Sequence, residues 1–355
     1  MMKPAARIRV IVTEDSAVTR ALLTAILEEV QEFELVAAVP DGAAAVDAVA
    51  RLRPAVVTMD LHMPHLDGVE ATRRIMREVP TPIVVVTASS EVDGRMTYDA
   101  LAAGALSVVA RPVGPSDERF AARRDALLAE LRLMAGVRVV RRIERGAPRA
   151  PTPPLNPPRP VRVVAIAAST GGPAVLYRLL GDLPRDFALP ILVVQHMSEG
   201  FIGGLARWLS DAAPAPVRIA RDGDVLAGGV VLLAPDGSHL RVTAGGTVRL
   251  DPGPPIGGHR PAATALFDSV AEAYGDGAIG VILTGMGRDG VDGLARLRAT
   301  GAVTLAQDAA SSAVYGMPDA AMKAGAVERS LSVEELGPTI AALTITPPGR
   351  PVGAR

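Results

Sequence analysis

The chain of 355 residues carries 37 Lys and Arg against 38 Asp and Glu, a formal net charge of -1. This balance gives no general attraction to nucleic acid or anionic membranes. The absence of cysteine excludes disulfides, thiolate metal sites and cysteine nucleophiles. No apolar run approaches the ~20 residues of a membrane span, and acidic residues follow the first short apolar segment by Glu14, unlike a secretory signal. We therefore expect a cytoplasmic protein of two domains.

The first part of the chain alternates short apolar runs with helical patterns. Ser16 is placed to cap the first helix, and Gly104 to end the fourth. Repeated strand–helix alternation predicts a doubly wound parallel sheet. The predicted strands are 8–13, 35–39, 55–59, 82–86 and 105–110, and the helices are 16–27, 45–52, 67–78, 92–103 and 116–134.

Five polar residues lie just past the apolar strands of this part: Glu14, Asp15, Asp60, Thr87 and Arg111. The carboxyl ends of parallel strands share one edge of the sheet, so we expect these side chains to lie together. Three crowded carboxylates repel one another unless a hard cation is present, and oxygen ligands suit Mg²⁺. A carboxylate with a metal, a hydroxyl and a cation around it is suited to accept a phosphoryl group. Each acid alone could equally be a loop residue or a helix cap.

Four segments containing these residues resemble a two-component receiver domain, and the resemblance covers about residues 7–134: 14–16, 59–68, 86–88 and 111–112. It implies a flavodoxin-like fold in which Asp60 accepts a phosphoryl group from a histidine kinase. It also implies that Glu14 and Asp15 hold Mg²⁺ together with Asp60, and that Thr87 contacts the phosphoryl group.

Two positions depart from the receiver pattern. Receivers have lysine where this chain has Arg111, and usually an aromatic residue where it has Val108. Arginine keeps the positive charge, but its planar guanidinium is not equivalent to a compact ammonium at a tight site.

A proline-rich segment follows the receiver-like part. Seven of the thirteen positions from 148 to 160 are proline, and such a run makes neither a helix nor a central strand. It could also be a docking ligand for another protein. We predict a receiver domain at 1–135, a semi-rigid linker at 136–160, a catalytic domain at 161–345 and a disordered tail at 346–355.

The second domain again alternates strands and helices, but residues 217–250 are rich in glycine. Short runs separated by Gly-Gly predict hairpins, and so an antiparallel extension of the sheet. The predicted strands are 161–167, 190–194, 278–283 and 302–305, with β-like pieces at 230–233, 240–243 and 247–250. The predicted helices are 173–180, one containing Phe201 and Trp208, 261–274, 291–299, 309–323 and 333–343.

Ser169, His196 and Asp289 lie just after apolar strands of this second sheet. Serine is a poor nucleophile until a neutral imidazole accepts its proton, and an aspartate can orient that imidazole. Gly171 and Gly172 open a helix, where backbone N–H groups stabilise an oxyanion. The pattern favours a serine hydrolase.

Other interpretations of these residues remain open. Ser169 could simply cap a helix, and Asp289 could be an ordinary acid at a helix N-terminus. The serine is not in a G-x-S-x-G turn. A glycine-rich nucleotide site is the main rival, although the segment lacks the lysine of a P-loop. Four further histidines compete with the proposed base: His62, His65, His239 and His259.

Six segments of the chain resemble the bacterial chemotaxis protein-glutamate methylesterases: 167–173, 195–197, 233–235, 259–261, 283–290 and 316–318. The resemblance implies a Rossmann-like esterase domain with Ser169 as nucleophile, His196 as base and Asp289 as acid. It also implies that the N–H of Met286 is an oxyanion donor, supported by Thr170 and Gly171.

The same resemblance implies a phosphorylation-regulated enzyme that removes methyl groups from glutamate esters of chemoreceptors, and related enzymes also deamidate glutamine there. It implies Mg²⁺ in the receiver and no cofactor for the ester hydrolysis. We expect a monomer that neither binds nucleic acid nor inserts into a membrane. A non-catalytic signalling scaffold is the alternative from another class. A transcription factor fits only the receiver, because the second domain has no helix-turn-helix pattern or basic face.

Overall fold

The structure of this protein is a computed structural model that describes residues 7–88, 94–137, 139, 155 and 160–344. Most of the predicted linker at 136–160 and the predicted tail at 346–355 lie outside the described residues, as does the start of the helix predicted at 92–103. Two compact units are formed, one by Met1–Ile143 with Met197–Leu205 and the other by Glu144–His196 with Ala206–Arg355.

The first unit contains a five-stranded parallel sheet in the order β2-β1-β3-β4-β5. Strands and helices alternate along the chain, which confirms the predicted doubly wound fold. The strands are β1 (Ile8–Thr13), β2 (Phe33–Val39), β3 (Val56–Met59), β4 (Ile83–Thr87) and β5 (Ser107–Ala110), and the helices are α1 (Ala17–Glu28), α2 (Gly42–Leu52), α3 (Gly68–Glu78), α4 (Gly94–Ala103) and α5 (Phe120–Ala135).

Local sequence explains why these elements begin where they do. Ser16, Asp41 and Asp67 each precede a helix and accept a hydrogen bond from a backbone N–H of its first turn, which satisfies a donor that has no partner within the helix. Every residue of β3 and β4 is buried. Strands that are buried on both faces are typical of parallel sheets with helices packed on each side.

The second unit is built on a seven-stranded parallel sheet in the order β14-β13-β12-β6-β7-β9-β8. Its strands are β6 (Val163–Ala168), β7 (Ile191–Gln195), β8 (Val217–Ile219), β9 (Val231–Leu233), β12 (Ala278–Ile282), β13 (Val303–Gln307) and β14 (Arg329–Leu331), and the remaining strands of the chain are β10 (His239–Val242) and β11 (Val248–Asp251). The remaining described helices are α6 (Gly172–Gly181), α7 (Ile202–Ser210), α8 (Ala263–Tyr274), α9 (Val291–Ala299), α10 (Met317–Lys323) and α11 (Val333–Thr344).

The glycine-rich middle folds in two different ways. β10 and β11 pair antiparallel as a separate two-stranded sheet, whereas β9 joins the large sheet parallel to β7. The predicted hairpin therefore exists, but it stands beside the sheet and does not extend it. β9 is buried at every residue, as expected of an inner strand covered on both faces.

The strand order places a crevice beside β6. From β6 the chain proceeds to β7, then to the edge strand β8 and back to β9 on one side, and later fills β12, β13 and β14 on the other. At such a switch point the connections leave β6 and β12 in opposite directions and open a crevice at the carboxyl ends of the strands. Among the described residues, no helix combines the length and apolar character that a membrane span requires.

Candidate functional site

The first unit gathers three carboxylates at the carboxyl edge of its sheet. One oxygen each from Glu14, Asp15 and Asp60 lies within 4.8 Å of the others. Glu14 and Asp60 are buried, whereas Asp15 is exposed. The structure therefore brings together the acids that the sequence places after β1 and β3.

Burial raises the pKa of Glu14 to about 7, and the nearby Asp60 carboxylate adds to the rise. Burial also raises the pKa of Asp60, although the N–H of Leu61 at 2.8 Å and the charge of Arg111 oppose it. Oε2 of Glu14 has no hydrogen-bond partner within the described residues, and its contact with Nη1 of Arg111 at 3.5 Å is one of charge alone. Crowded acids with an unpartnered buried oxygen fit a hard divalent cation such as Mg²⁺.

Two further residues that the receiver resemblance singled out lie at the same edge. Thr87 ends β4 and is buried, and the backbone N–H of Arg111 donates to its carbonyl oxygen at 2.8 Å. The Arg111 side chain is 28% exposed, with its guanidinium beside Glu14. Val108 is buried within β5.

In the second unit, neighbouring strands deliver Ser169, His196 and Asp289 to the carboxyl edge of the large sheet. Ser169 follows β6 and donates its N–H to the carbonyl of Thr284 at 3.0 Å. His196 follows β7 and donates its N–H to the carbonyl of Ala168 at 2.9 Å. Asp289 lies in the loop between β12 and α9. These backbone bonds fix the turns that carry the nucleophile and base candidates.

His196 and Asp289 meet in a largely buried contact. Nε2 of His196 lies 3.0 Å from Oδ2 of Asp289, and their side chains are 12% and 4% exposed. Within the described residues, neither ring nitrogen of His196 completes an aligned hydrogen bond. The Nε2 contact is thus close but off-axis, and Ser169 Oγ is not bonded to Nδ1. Such bonds often tighten only when substrate binds.

Asp289 is held by donors from two segments. Oδ2 accepts from the N–H of Ala263 at 2.6 Å, and Oδ1 accepts from the N–H and hydroxyl of Thr264 at 3.1 and 2.8 Å and from the N–H of Gly290 at 2.8 Å. Ala262, which precedes α8, has no side chain that can cap the helix. Asp289 therefore caps α8 from a distant part of the sequence.

These donors determine the charge of Asp289. Burial alone would raise its pKa, but the close contact with His196 and the hydrogen bonds from Ala263 and Thr264 outweigh that effect. They lower the pKa from 3.8 to about 2. The carboxylate is therefore ionised near neutral pH and can orient an imidazole and stabilise the imidazolium form.

Thr264 is a residue of this site that the sequence did not indicate. Its hydroxyl donates to Oδ1 of Asp289 and accepts from the N–H of Gly290 at 2.9 Å. A visible signal was the absence of Ser, Thr, Asp or Asn before α8, since a buried helix start needs a cap from elsewhere.

We expect Thr264→Val to lower the kcat of the reaction at this site about 10-fold and the free energy of unfolding by about 1 kcal/mol, because two hydrogen bonds around Asp289 are lost. Steady-state kinetics and urea unfolding measure the two effects. Thr264→Ser keeps the hydroxyl and should behave like the wild type. Equal losses in the valine and serine variants would contradict this role of the hydroxyl.

The five histidines have different surroundings. His62 and His65 belong to the first unit. His239 is buried, its Nδ1 accepts from the N–H of Ala262 at 3.1 Å, and its Nε2 lies 3.1 Å from the carbonyl of Pro254. Both its nitrogens are thus used in holding the fold. His196 is the histidine in contact with Asp289.

His259 packs against the base candidate, which the sequence analysis did not anticipate. The rings of His259 and His196 stack with centroids 4.2 Å apart and planes 6° from parallel. Burial, and secondarily the neighbouring His196, lowers the pKa of His259. A neutral His259 adds no positive charge next to an imidazole that must accept a proton.

The turn after Ser169 is shaped by two glycines. Gly171 has φ of +74° and precedes α6 without a side-chain cap bond, so Ser169 is not the cap of this helix. A Cβ on Gly172 would lie 2.1 Å from Oε1 of Gln195 and 2.8 Å from Cβ of Ala168. The second glycine thus makes room for a neighbouring side chain.

The loop after β12 presents the peptide of Met286. The carbonyl of Gly285 accepts from the N–H groups of Gly316 and Met317 at 3.1 and 2.8 Å. Since a trans peptide points its C=O and N–H in opposite directions, the Met286 N–H faces away from these partners. The hydroxyl of Thr284 donates to the carbonyl of Thr170 at 3.0 Å. This bond ties the Met286 loop to the turn after Ser169.

Known proteins are similar to this chain over nearly its whole length. The sequence matches the CheB methylesterase family over residues 164–340 and the response regulator receiver domain over residues 10–122. It is 48% identical to the protein-glutamate methylesterase/protein-glutamine glutaminase 4 of Myxococcus xanthus over 334 residues, or 93% of this chain and 95% of that protein.

A second relative is equally similar, and one solved structure matches about half of this chain. Protein-glutamate methylesterase/protein-glutamine glutaminase 3 of Anaeromyxobacter dehalogenans is 48% identical over 336 residues, which cover 94% of this chain and 98% of that protein. The crystal structure of the Thermotoga maritima CheB methylesterase catalytic domain matches with 36% sequence identity and a TM-score of 0.50. The match covers 52% of this chain and 98% of the chain in that crystal structure.

Proposed function

This chain belongs to the CheB methylesterase family and carries a response regulator receiver domain, and from that premise we propose that it hydrolyses glutamate γ-methyl esters of chemoreceptors to glutamate and methanol during chemotaxis adaptation. The relatives are also named for protein-glutamine glutaminase activity. Deamidation is the same acyl transfer with ammonia as the leaving group, so we include it in the proposal.

The proposed reaction uses three side chains. Ser169 Oγ attacks the ester carbonyl carbon while its proton passes to His196, and the carbonyl oxygen becomes an oxyanion. His196 then gives the proton to the departing methoxide, which leaves as methanol. Water attacks the acyl-enzyme, its proton passes through His196 to Ser169, and glutamate is released. Asp289 stays ionised and orients the imidazole throughout.

The oxyanion needs donors that are already in position. We propose the N–H of Met286 as one donor, with Thr170 and Gly171 shaping the opposite wall. Preorganised backbone donors of this kind stabilise the tetrahedral intermediate without rearrangement.

The observation that carries the proposal is the buried approach of His196 to Asp289 at 3.0 Å beside the turn of Ser169. Methanol release from a methylated chemoreceptor fragment, incubated with the full chain and a phosphodonor, tests it. We expect methanol in equal amount to the new glutamate. A receptor that keeps all its methyl esters under these conditions would contradict the proposal. Ammonia release from the unmethylated glutamine form tests deamidation separately.

For the receiver, we propose that Asp60 accepts the phosphoryl group of a chemotaxis histidine kinase and that this modification raises esterase activity. Glu14 and Asp15, together with Asp60, would hold Mg²⁺. The positive charge of the ion would offset the negative charge of the phosphoryl group. Thr87 and Arg111 lie at the same edge to contact the phosphoryl oxygens. The receptors and the kinase would be met in the cytoplasm.

We expect acetyl phosphate with Mg²⁺ to phosphorylate the chain on Asp60 and to raise methanol release at least ~5-fold. Asp60→Asn should lose both effects and keep the basal rate. Intact-protein mass and methanol assays follow the two effects. Asp67→Asn is the matched control, because asparagine also caps α3 well. Unchanged activation in Asp60→Asn would remove Asp60 from this role.

A further inference from the structure

The side chain of Gln195 joins the two turns that carry Ser169 and His196. Gln195 is the last residue of β7, and its side chain is buried. Its Nε2 donates to the carbonyl oxygen of Ser169 at 2.8 Å and to that of His196 at 2.8 Å. One amide group therefore uses both its protons on the nucleophile and base candidates.

This link begins where the strand pairing ends. Ala168 is opposite Gln195 in the last matched pair of β6 and β7, and the N–H of His196 makes the next bond to the carbonyl of Ala168 at 2.9 Å. Beyond this point the segments that follow β6 and β7 turn away from each other as separate loops. The Gln195 amide is then the direct bridge from one turn to the other.

The orientation of the amide is determined by its surroundings. Reversing it would place Oε1 against two carbonyl oxygens, which also offer only lone pairs. In the observed orientation, Oε1 has no hydrogen-bond partner within the described residues and points to the position that a Cβ on Gly172 would occupy. Buried polar atoms without partners are rare in proteins and call for an explanation.

A second glutamine shows what a purely structural amide does in this fold. Gln307 ends β13 and is buried. Its Oε1 accepts from the N–H of Thr284 at 2.8 Å, and its Nε2 donates to the carbonyl of Ser311 at 2.8 Å. Both ends of that amide are paired. Gln195 instead leaves one end unpaired and places both donors on residues of the candidate triad.

We propose that Gln195 is a positioning residue that sets the separation of Ser169 and His196, and that Gly172 is required because its missing side chain admits the Gln195 amide. This inference rests on the proposed serine-hydrolase function. The transfer of a proton from Ser169 Oγ to His196 needs the two groups in hydrogen-bond reach. Gln195 controls that reach through the two backbones and does not contact the ester.

The first test is Gln195→Met in the full chain, a substitution of similar length that removes both donors. Kinetics with methylated receptor should show kcat reduced ~10- to 100-fold with KM within about 2-fold, as expected when reacting groups are displaced without loss of substrate contacts. The rate at which a fluorophosphonate probe labels Ser169 should fall by a similar factor. Wild-type labelling and kcat in this variant would overturn the inference.

Ser269→Ala is the stability control, because it also leaves a buried backbone group unpaired. Ser269 Oγ accepts from the N–H of Val242 at 3.1 Å and donates to the carbonyl of Leu266 at 2.9 Å. We expect it to lower the thermal midpoint while keeping the wild-type labelling rate. If both variants lose activity in proportion to their stability, Gln195 is only structural and the inference fails.

Gln195→Glu supplies a readout that a structural role does not move. An ionised glutamate offers the two carbonyls no donor, whereas the protonated form offers one O–H. The ratio of its rate to that of the wild type should rise as the pH falls from about 8 to about 6, since burial favours the neutral acid. A flat ratio contradicts the inference even if the methionine variant fails to fold.

Gly172→Ala tests the same contact by changing the residue that Oε1 of Gln195 faces. The new Cβ meets Oε1 of Gln195, so the variant should reproduce the kcat loss of Gln195→Met. Normal kcat in Gly172→Ala would disprove the stated need for glycine. A wild-type chain that releases no methanol would instead refute the proposed function, which separates the two failures.

Discussion

Replacing Ser169 by alanine is expected to lower kcat/KM for methyl-ester hydrolysis by at least ~10³-fold, because no acyl-enzyme can then form. Methanol release from methylated receptor measures the loss. The residual rate should come from the Met286 N–H and from substrate binding, which remain intact.

The fold should tolerate this change. In the described residues, the Ser169 hydroxyl makes no hydrogen bond to His196, so the free energy of unfolding should change by less than about 0.5 kcal/mol. Ser210→Ala is a control, since its Oγ donates to the carbonyl of Ala206 at 2.9 Å. It should lose stability but not activity. Near wild-type methanol release by Ser169→Ala would remove the serine from the mechanism.

Replacing Asp289 by asparagine is expected to reduce kcat by ~10³- to 10⁴-fold, because the uncharged amide neither orients His196 correctly nor stabilises its protonated form. Unlike the serine variant, this one should also be less stable. The carboxylate accepts the N–H groups of Ala263, Thr264 and Gly290. An amide cannot accept all of them at both atoms.

The pH dependence of that stability loss has a definite sign. The pKa of Asp289 is about 2 in the folded chain against an ordinary 3.8, so folding favours the ionised form. The corresponding stabilisation of about 2 kcal/mol is present above pH ~4 and is lost as the pH falls through about 2. The difference in unfolding free energy between wild type and Asp289→Asn should therefore shrink on acidification, as urea unfolding can follow.

Asp292→Asn is the matched control for Asp289. Asp292 lies in the first turn of α9, where it is 64% exposed and pairs with Arg288 on the surface. An exposed pair of this kind adds little to stability. Its loss should leave both kcat and the pH dependence unchanged. A stability difference between wild type and Asp289→Asn that stayed constant down to about pH 2 would mean that the Asp289 charge is not stabilised by the fold.

Much of the site placement follows from the parallel sheet, which the sequence predicted, and from its strand order, which the structure shows. Ser169 and His196 follow the adjacent strands β6 and β7, and the loop after the neighbouring β12 carries Asp289. Parallel strands end at a common edge, so residues remote in sequence meet there. The same reasoning predicted the meeting of Glu14 and Asp60.

Some elements could not be predicted from local patterns. β8 and β14 contain three residues each, too few to show an alternation. The helix predicted over 309–323 begins only at Met317. The side chain of Asp308 accepts from the N–H and hydroxyl of Ser311 at 2.9 and 2.8 Å, and such local bonds hold a turn in place of a helix.

The side-chain contacts that support the site could not be predicted from the sequence, for a different reason. The Thr264–Asp289 bond joins residues 25 apart, and the Gln195–Ser169 bond joins residues 26 apart. The stacking of His259 on His196 also depends on how separate loops pack. Periodicity and strand order place backbones, whereas these contacts depend on the packing of particular side chains.

The capping of α8 by Asp289 separates two kinds of evolutionary constraint. A descendant of this chain that no longer hydrolysed esters would still need a carboxylate at 289 to keep its fold, because α8 has no cap of its own. Selection for folding would not preserve Ser169 in the same way. In a diverged homologue, an aspartate at this position is therefore weak evidence for catalysis, and the serine is the residue whose loss would mark an enzyme turned into a binding protein.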